Sequence, residues 1–152
     1  MRIIAIDPGT TESAFVLVDD DFIILDHGKI PNERMIESLR LLDYDHCVIE
    51  MIASYGMAVG KEVFETCVWI GRFMERSSTN SSRILRRDVK LNMCGSVRAK
   101  DGNIRQALID RFGSPGTKKA PGHTHGLSAD QWQAFALAVT CIDSRRKENT
   151  LW

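Results

Sequence analysis

Three acidic residues stand where a carboxylate needs a reason to be. The chain opens on Met1-Arg-Ile-Ile-Ala-Ile-Asp-Pro-Gly-Thr10, in which Ile3, Ile4, Ala5 and Ile6 form a run of small and β-branched apolar residues. Such a run reads as a strand buried on both faces. It ends in Asp7-Pro8-Gly9-Thr10, where Pro and Gly impose a turn. A carboxylate at the end of a core strand costs roughly several kcal/mol without a partner, so a metal ion, an Arg or a Lys belongs beside Asp7. The plainer alternative is that Asp7 only opens the turn by accepting a backbone N–H. Cys47-Val48-Ile49-Glu50 repeats the pattern, an apolar run closed by an acid. Asp130 follows Ser128-Ala129 at the start of a helical pattern, where a carboxylate also complements the helix dipole, worth about 0.3–1 kcal/mol. If the strands ending in Asp7 and Glu50 are neighbours, the acids converge and repel one another unless cations neutralise them. Hard oxygen ligands suit Mg²⁺ or Mn²⁺. Two such ions roughly 3.5–4 Å apart would activate a water and steady a leaving oxygen in phosphodiester cleavage.

Charge supplies the second clue. Lys and Arg together number 20, as do Asp and Glu, but the balance is uneven along the chain. Residues 1–82 carry 7 basic and 14 acidic side chains, and residues 83–119 carry 10 basic and 3 acidic. A polyanion-binding face on an acidic body has this signature, although a solvated helix face accounts for any one cluster alone. Asp19-Asp20-Asp21 looks like a metal cluster but reads better as a solvated hairpin turn.

The 152 residues suffice for one domain with its own core. No stretch approaches the ~20 apolar residues of a membrane span, and the N-terminus lacks a signal-peptide layout. Cys47, Cys67, Cys94 and Cys141 are scattered, with no CxxC pair, as in reduced proteins of a cytoplasmic compartment.

The elements that must position the acids follow from periodicity. Strands are expected at Ala14 to Val18 and from Phe22 to Leu25, leading to Lys29, which with the first strand make an antiparallel meander. A helix is expected over Glu33 to Leu42, with Met35, Ile36, Leu39 and Leu42 on one face. A Gly-dotted loop holding Tyr55 leads to a long helix, Lys61 to Arg76, apolar nearly all round and so buried on several sides or part of a subunit interface. After a polar break at Ser77 to Ser82, Arg83 to Arg87 holds a last strand, and a short helical or irregular stretch runs through Asp88 to Leu91. Lys100 to Phe112 reads as a helix stopped by Gly113. Gly113 to Leu127 reads as an exposed, mobile loop. The final helix carries a capping-box pattern, Ser128 to Gln131, and an inward stripe of Trp132, Phe135, Ala136 and Val139.

Taken together, Ile4-Ala-Ile-Asp7-Pro-Gly-Thr10, Val48-Ile-Glu50, Val89-Lys90 with Gly95 and Ala99-Lys100, and Asp130-x-x-Gln133-Ala-Phe-Ala-Leu-Ala-Val139 resemble the RuvC-type Holliday junction resolvases of the RNase H-like superfamily, in particular their compact phage relatives. The resemblance spans nearly the whole chain. It implies an α/β fold, a mixed five-stranded sheet with its first three strands antiparallel and helices on both faces. It implies a Mg²⁺-dependent crossover junction endodeoxyribonuclease, with Mn²⁺ able to substitute and two ions per site, acting in recombination, repair or phage DNA processing in a bacterial cytoplasm. Asp7, Glu50 and Asp130 would be the metal ligands and catalytic residues. Lys90 and Lys100 match the family's basic residues near the scissile phosphate, and Arg86, Arg87, Arg98, Lys118 and Lys119 extend the expected DNA-binding set. The helix at Lys61 to Arg76 matches the one that pairs two subunits, which would place two active sites across one four-way junction.

One departure concerns the terminal helix, where the family usually carries a second acid three residues after the first. Gln133 stands there, so a neutral amide would coordinate a metal or orient a water with one negative charge fewer. His123 or His125 could compensate as ligand or proton shuttle, though loop histidines are more often simply solvated. Tyr55 lies in the loop where some relatives carry an aromatic wedge. Two rival readings remain: a junction-binding module without turnover, and an ATPase-like phosphate hairpin at Ile6-Asp7-x-Gly9-Thr10-Thr11-x-Ser13. The second needs two domains around a nucleotide, more than this length provides.

Overall fold

The computed structural model describes residues 1–77 and 80–150. Five strands form one sheet: β1 (Arg2–Asp7), β2 (Glu12–Asp19), β3 (Ile24–Pro31), β4 (His46–Met51) and β5 (Asn80–Leu85). Their spatial order is β3-β2-β1-β4-β5. β1 pairs antiparallel with β2 and β2 with β3, whereas β1–β4 and β4–β5 are parallel. Helices α1 (Asn32–Leu41) and α2 (Lys61–Arg76) cover one face, and α5 (Asp130–Thr150), flanked by α3 (Arg86–Cys94) and α4 (Asp101–Phe112), covers the other. This is the expected mixed α/β sheet.

β1 is buried on both faces because its alternate side chains serve two cores. Ile3 and Ala5 join Val16, Val18 and Val48 under α5, while Ile4 and Ile6 join Phe15, Leu17 and Ile49 under α1 and α2. The helix buried all round is α5, not α2: every residue from Trp132 to Ile142 is buried, beyond the expected stripe. α2 turns Thr66, Ile70 and Phe73 inward and leaves Phe64 and Val68 more than 60% exposed.

Both edge strands differ from expectation, β3 running longer and β5 ending at Leu85, with Arg86 and Arg87 opening α3 instead of closing the strand. β3 begins only at Ile24 and continues through the polar Asp26-His27-Gly28-Lys29, and β5 takes in Asn80, Ser81 and Ser82. An edge strand with one bonded neighbour tolerates polar residues that hydropathy reads as loop. Phe22 is outside the strand, in the left-handed region at φ 64, packed on Phe112. Of the polar break at Ser77 to Ser82, Ser78 and Thr79 lie outside the described residues.

Two expectations at the start of α5 are corrected. The Gln131 side chain does not cap the helix, because its Oε1 lies 2.7 Å from His27 Nδ1; only the Ser128 carbonyl takes part, accepting the Gln131 N–H. The Gly113–Leu127 segment is a pinned structure rather than a free loop. Gly116 bridges Pro121, the Gly122 N–H donates to the Pro115 carbonyl, and His123 stacks on Phe112.

The turn after β1 is held by a closed ring of hydrogen bonds. The Gly9 N–H donates to Ser13 Oγ (3.2 Å), the Ser13 hydroxyl to Asn32 Oδ1 (2.6 Å), and Asn32 Nδ2 to the Gly9 carbonyl (2.9 Å). A Cβ on Gly9 would meet the Glu12 carbonyl oxygen at 2.3 Å, so only glycine fits. Ser13 and Asn32 are almost wholly buried, and removing one member strands its partners without water. Asn32→Ala is therefore expected to lower stability by about 1–3 kcal/mol in urea unfolding; an unchanged midpoint would show that the ring does not hold the turn.

Candidate active site

Strand register brings the first functional groups together. Asp7 pairs with Ala14, and Ala14 pairs with Lys29, so Lys29, Ala14 and Asp7 form one row across the sheet. On the other side Ile6 pairs with Ile49 in parallel register, which places Glu50 beside Asp7. Alternation from Ile3 and Ala5, and from Val48, turns both acids toward the α5 face. There three helices begin: Arg86, Asp101 and Asp130 are the first residues of α3, α4 and α5. Acids at the first turns of α4 and α5 also face the positive end of the helix dipole.

Two cations are already seated among these carboxylates. Lys29 Nζ donates to Asp130 Oδ2 at 2.6 Å. Arg86 bridges two acids, Nη1 donating to Glu50 Oε1 at 3.1 Å and Nη2 to Asp101. The Asp7 carboxylate has neither a hydrogen bond nor an ion pair among the described residues. Burial, then the charges of Glu50 and Asp130, push its pKa up from 3.8 to about 8 despite Arg86. Burial also raises the Glu50 pKa, with Arg86 opposing. For Arg86, burial works against the charge, but Glu50 and Asp101 more than offset it and its pKa is raised.

The donor set fits a hard divalent cation: oxygen ligands, mutual repulsion, and one desolvated acid with no bonded counter-charge among the described residues. As placed, no three His, Cys, Asp or Glu side chains among the described residues form a metal-holding group. Lys29 and Arg86 hold Asp130 and Glu50 in ion pairs. Asp7 and Asp130 share the lining of a cavity of about 340 Å³ with Lys29 and Glu12. Asp130, Asp101 and Gln133 line another of about 270 Å³.

A third cavity, about 440 Å³, adjoins Glu50 and is lined by Arg86, Arg87, Lys90, Tyr55, Ile52 and Val97 among others. It joins basic side chains to an aromatic ring at the edge of the acid cluster. Lys100 immediately precedes Asp101, and Arg98 is exposed in the turn before it. Lys118 and Lys119 sit at the exposed tip of the Gly116–Pro121 bridge. His123 is not brought to the acids: its Nε2 lies 2.6 Å from the Phe22 carbonyl, beyond the β2 end that pairs with Arg2 rather than with Asp7. His125 contributes only a backbone bond to Gly122 among the interactions of the described residues.

Sequence reasoning missed Lys29 and Asp101. The signal for Lys29 was hairpin register, which carries a residue on a third strand level with Asp7. Asp101 was visible only as an acid amid basic neighbours.

No family model matches the sequence, and no curated protein matches it. Solved structures do. Thermus thermophilus RuvC superposes with a TM-score of 0.70 at 16% identity, covering 97% of both chains. T. thermophilus RuvC in complex with Holliday junction substrate gives 0.65, also at 16% identity, over 96% of both. The chain therefore has the RuvC-type, RNase H-like fold.

The pH dependence of stability is a direct readout of the crowded acids. Between pH 3.8 and about 8 the native chain holds a proton on Asp7 that the unfolded chain has released. Stability of the metal-free protein should therefore fall as pH rises through that window. Thermal melts are expected to show this decline in wild type and a shallower one in Asp7→Asn; equal slopes would contradict the raised Asp7 pKa.

Proposed function

We propose that this chain is a structure-specific endonuclease that hydrolyses phosphodiester bonds in branched DNA, four-way junctions foremost, with the help of a divalent cation. The observation that carries this reading is the desolvated, unpartnered Asp7 among Glu50, Asp101 and Asp130, beside a rim of basic side chains. The likeness to a fold solved with a Holliday junction supports the choice of substrate.

Asp7, Glu50 and Asp130 would hold Mg²⁺, for which Mn²⁺ could substitute. When bound, the ion would supply a nucleophilic water and neutralise charge building on the phosphate. The protein's own part is placement. The Gly9–Ser13–Asn32 ring fixes the backbone that carries Asp7. Lys90, with Arg87, lines the cavity next to Glu50, where it would hold a DNA phosphate against the acids. Lys100, Arg98, Lys118 and Lys119 would extend the backbone contacts. Tyr55, 62% exposed and lining that cavity, would stack on an unpaired base at the branch point.

The subunit arrangement belongs to the same reading. Phe64 and Val68, one turn apart on the outer face of α2, are exposed apolar side chains of the kind that a second copy would cover. Two chains joined there would present two sites to one junction.

The decisive comparison uses four-way, three-way and linear DNA with Mg²⁺ or Mn²⁺. Asp7→Asn should reduce junction cleavage by more than the roughly 10–100-fold that loss of an outer-shell metal partner costs, while junction binding persists. Wild-type cutting by Asp7→Asn would remove the catalytic assignment, and a wild type that binds junctions without cutting would favour the non-catalytic reading. Binding should weaken about 10³-fold or more between roughly 50 and 200 mM salt; a flat response would exclude the basic rim as the DNA contact. Val68→Asp should convert a dimer to a monomer in sedimentation, and an unaltered profile would place the interface elsewhere.

A further inference from the structure

The cavity of about 270 Å³ at the first turns of α4 and α5 has no part in the function proposed above. Gln133 lines this cavity and not the one that Asp7 and Asp130 share. The residue is 5% exposed, and its side chain has no hydrogen-bond partner among the described residues. A buried amide is normally paired, so this one calls for a group that enters the cavity. Arg105, in the same lining, sits with its guanidinium 4.8 Å from the centroid of the Trp132 ring and has no ion pair among the described residues. A guanidinium plane held on one ring leaves its second face for another flat group. Gly102 completes the pocket. Glycine is a poor helix former, and no positive φ requires it here. A Cβ at Gly102 would meet nothing within 4 Å, so what the glycine provides is open space.

We propose that this cavity binds an unpaired nucleobase of the branched DNA, adenine or cytosine, stacked on Arg105 and hydrogen-bonded to Gln133; the inference rests on the branched-DNA reading above. Adenine and cytosine each carry an amino donor beside a ring-nitrogen acceptor, the complement of the amide oxygen and NH₂ group of Gln133. Asp101 and Asp130, on the same wall, sharpen the choice. A carboxylate accepts hydrogen bonds and cannot donate them. It therefore receives the second amino hydrogen of adenine or cytosine, whereas the carbonyl oxygens of thymine or uracil, or a phosphate, would meet negative charge. Both acids are already paired, Asp130 with Lys29 and Asp101 with Arg86, which leaves the neutral amide as the group in need of a partner. Gln133 is thus a residue that selects the base beside the acids.

Fluorescence anisotropy in EDTA tests this with the full chain and two four-way junctions. Their unpaired branch-point nucleotides are all cytosine in one and all uracil in the other, bases that differ only on the edge the amide reads. Wild type should bind the cytosine junction at least about fivefold more tightly. Gln133→Leu and Gly102→Leu should each abolish that difference, the second by filling the cavity from a helix position with open space around it; circular dichroism checks that they fold. Equal affinity of wild type for the two junctions would overturn the proposal, and so would a difference that survives in either folded variant. Should Gln133→Leu fail to fold, Gly102→Leu decides alone. Cleavage of the same junctions with Mg²⁺ separates this inference from the nuclease reading. A base preference without cleavage refutes only the reading, and cleavage without a preference refutes only the inference. No binding to either junction refutes both.

Discussion

The crowding of carboxylates at the C-terminal ends of β1 and β4 governs the rest of the site. Asp7 is desolvated by the sheet and by α5, and its nearest charged neighbours are mostly of its own sign. Such a group is stable only as the neutral acid or beside a cation. Elsewhere in the cluster the chain supplies that cation itself, through Lys29 and Arg86. At Asp7 no cation is bonded among the described residues, and Arg86 only partly offsets the surrounding negative charge. The unmet electrostatic demand is local, and it falls on the residue that leads into the hydrogen-bonded Gly9–Ser13–Asn32 turn.

The scaffold reaches this arrangement by ordinary means. Parallel pairing of β1 with β4 puts two strand-end acids side by side, and antiparallel pairing through β2 carries Lys29 level with them. Three helices then begin over the same sheet end, each delivering a charged first residue. Open α/β sheets collect ligand-binding groups at the carboxyl ends of their strands for this reason. Burying α5 all round, from Trp132 to Ile142, ties the position of Asp130 to the core rather than to a surface helix.

Asp7 and Glu50 were legible in the sequence because each ends an apolar run, and a carboxylate in that position is costly enough to need an explanation. The mixed sheet was legible too, through its core strands. What escaped was carried by long-range pairing. Lys29 sits on a polar edge strand whose extent hydropathy underestimates, and its meaning depends on register across two hairpins. Asp101 becomes part of the site only through Arg86, which spans Glu50 and Asp101. His123 was misplaced for the opposite reason. It is close to Asp130 in sequence, but the pinned segment before α5 carries it to the aromatic cluster of Phe22, Phe112 and Phe135.

The proposed function requires the cluster around Asp7 to be a divalent-cation site. Crystals soaked in Mn²⁺ and measured at the manganese absorption edge test it most directly. An anomalous peak is expected on the Asp7 carboxylate. A saturating soak that leaves Asp7 without a peak, or places manganese only at other residues, would contradict it.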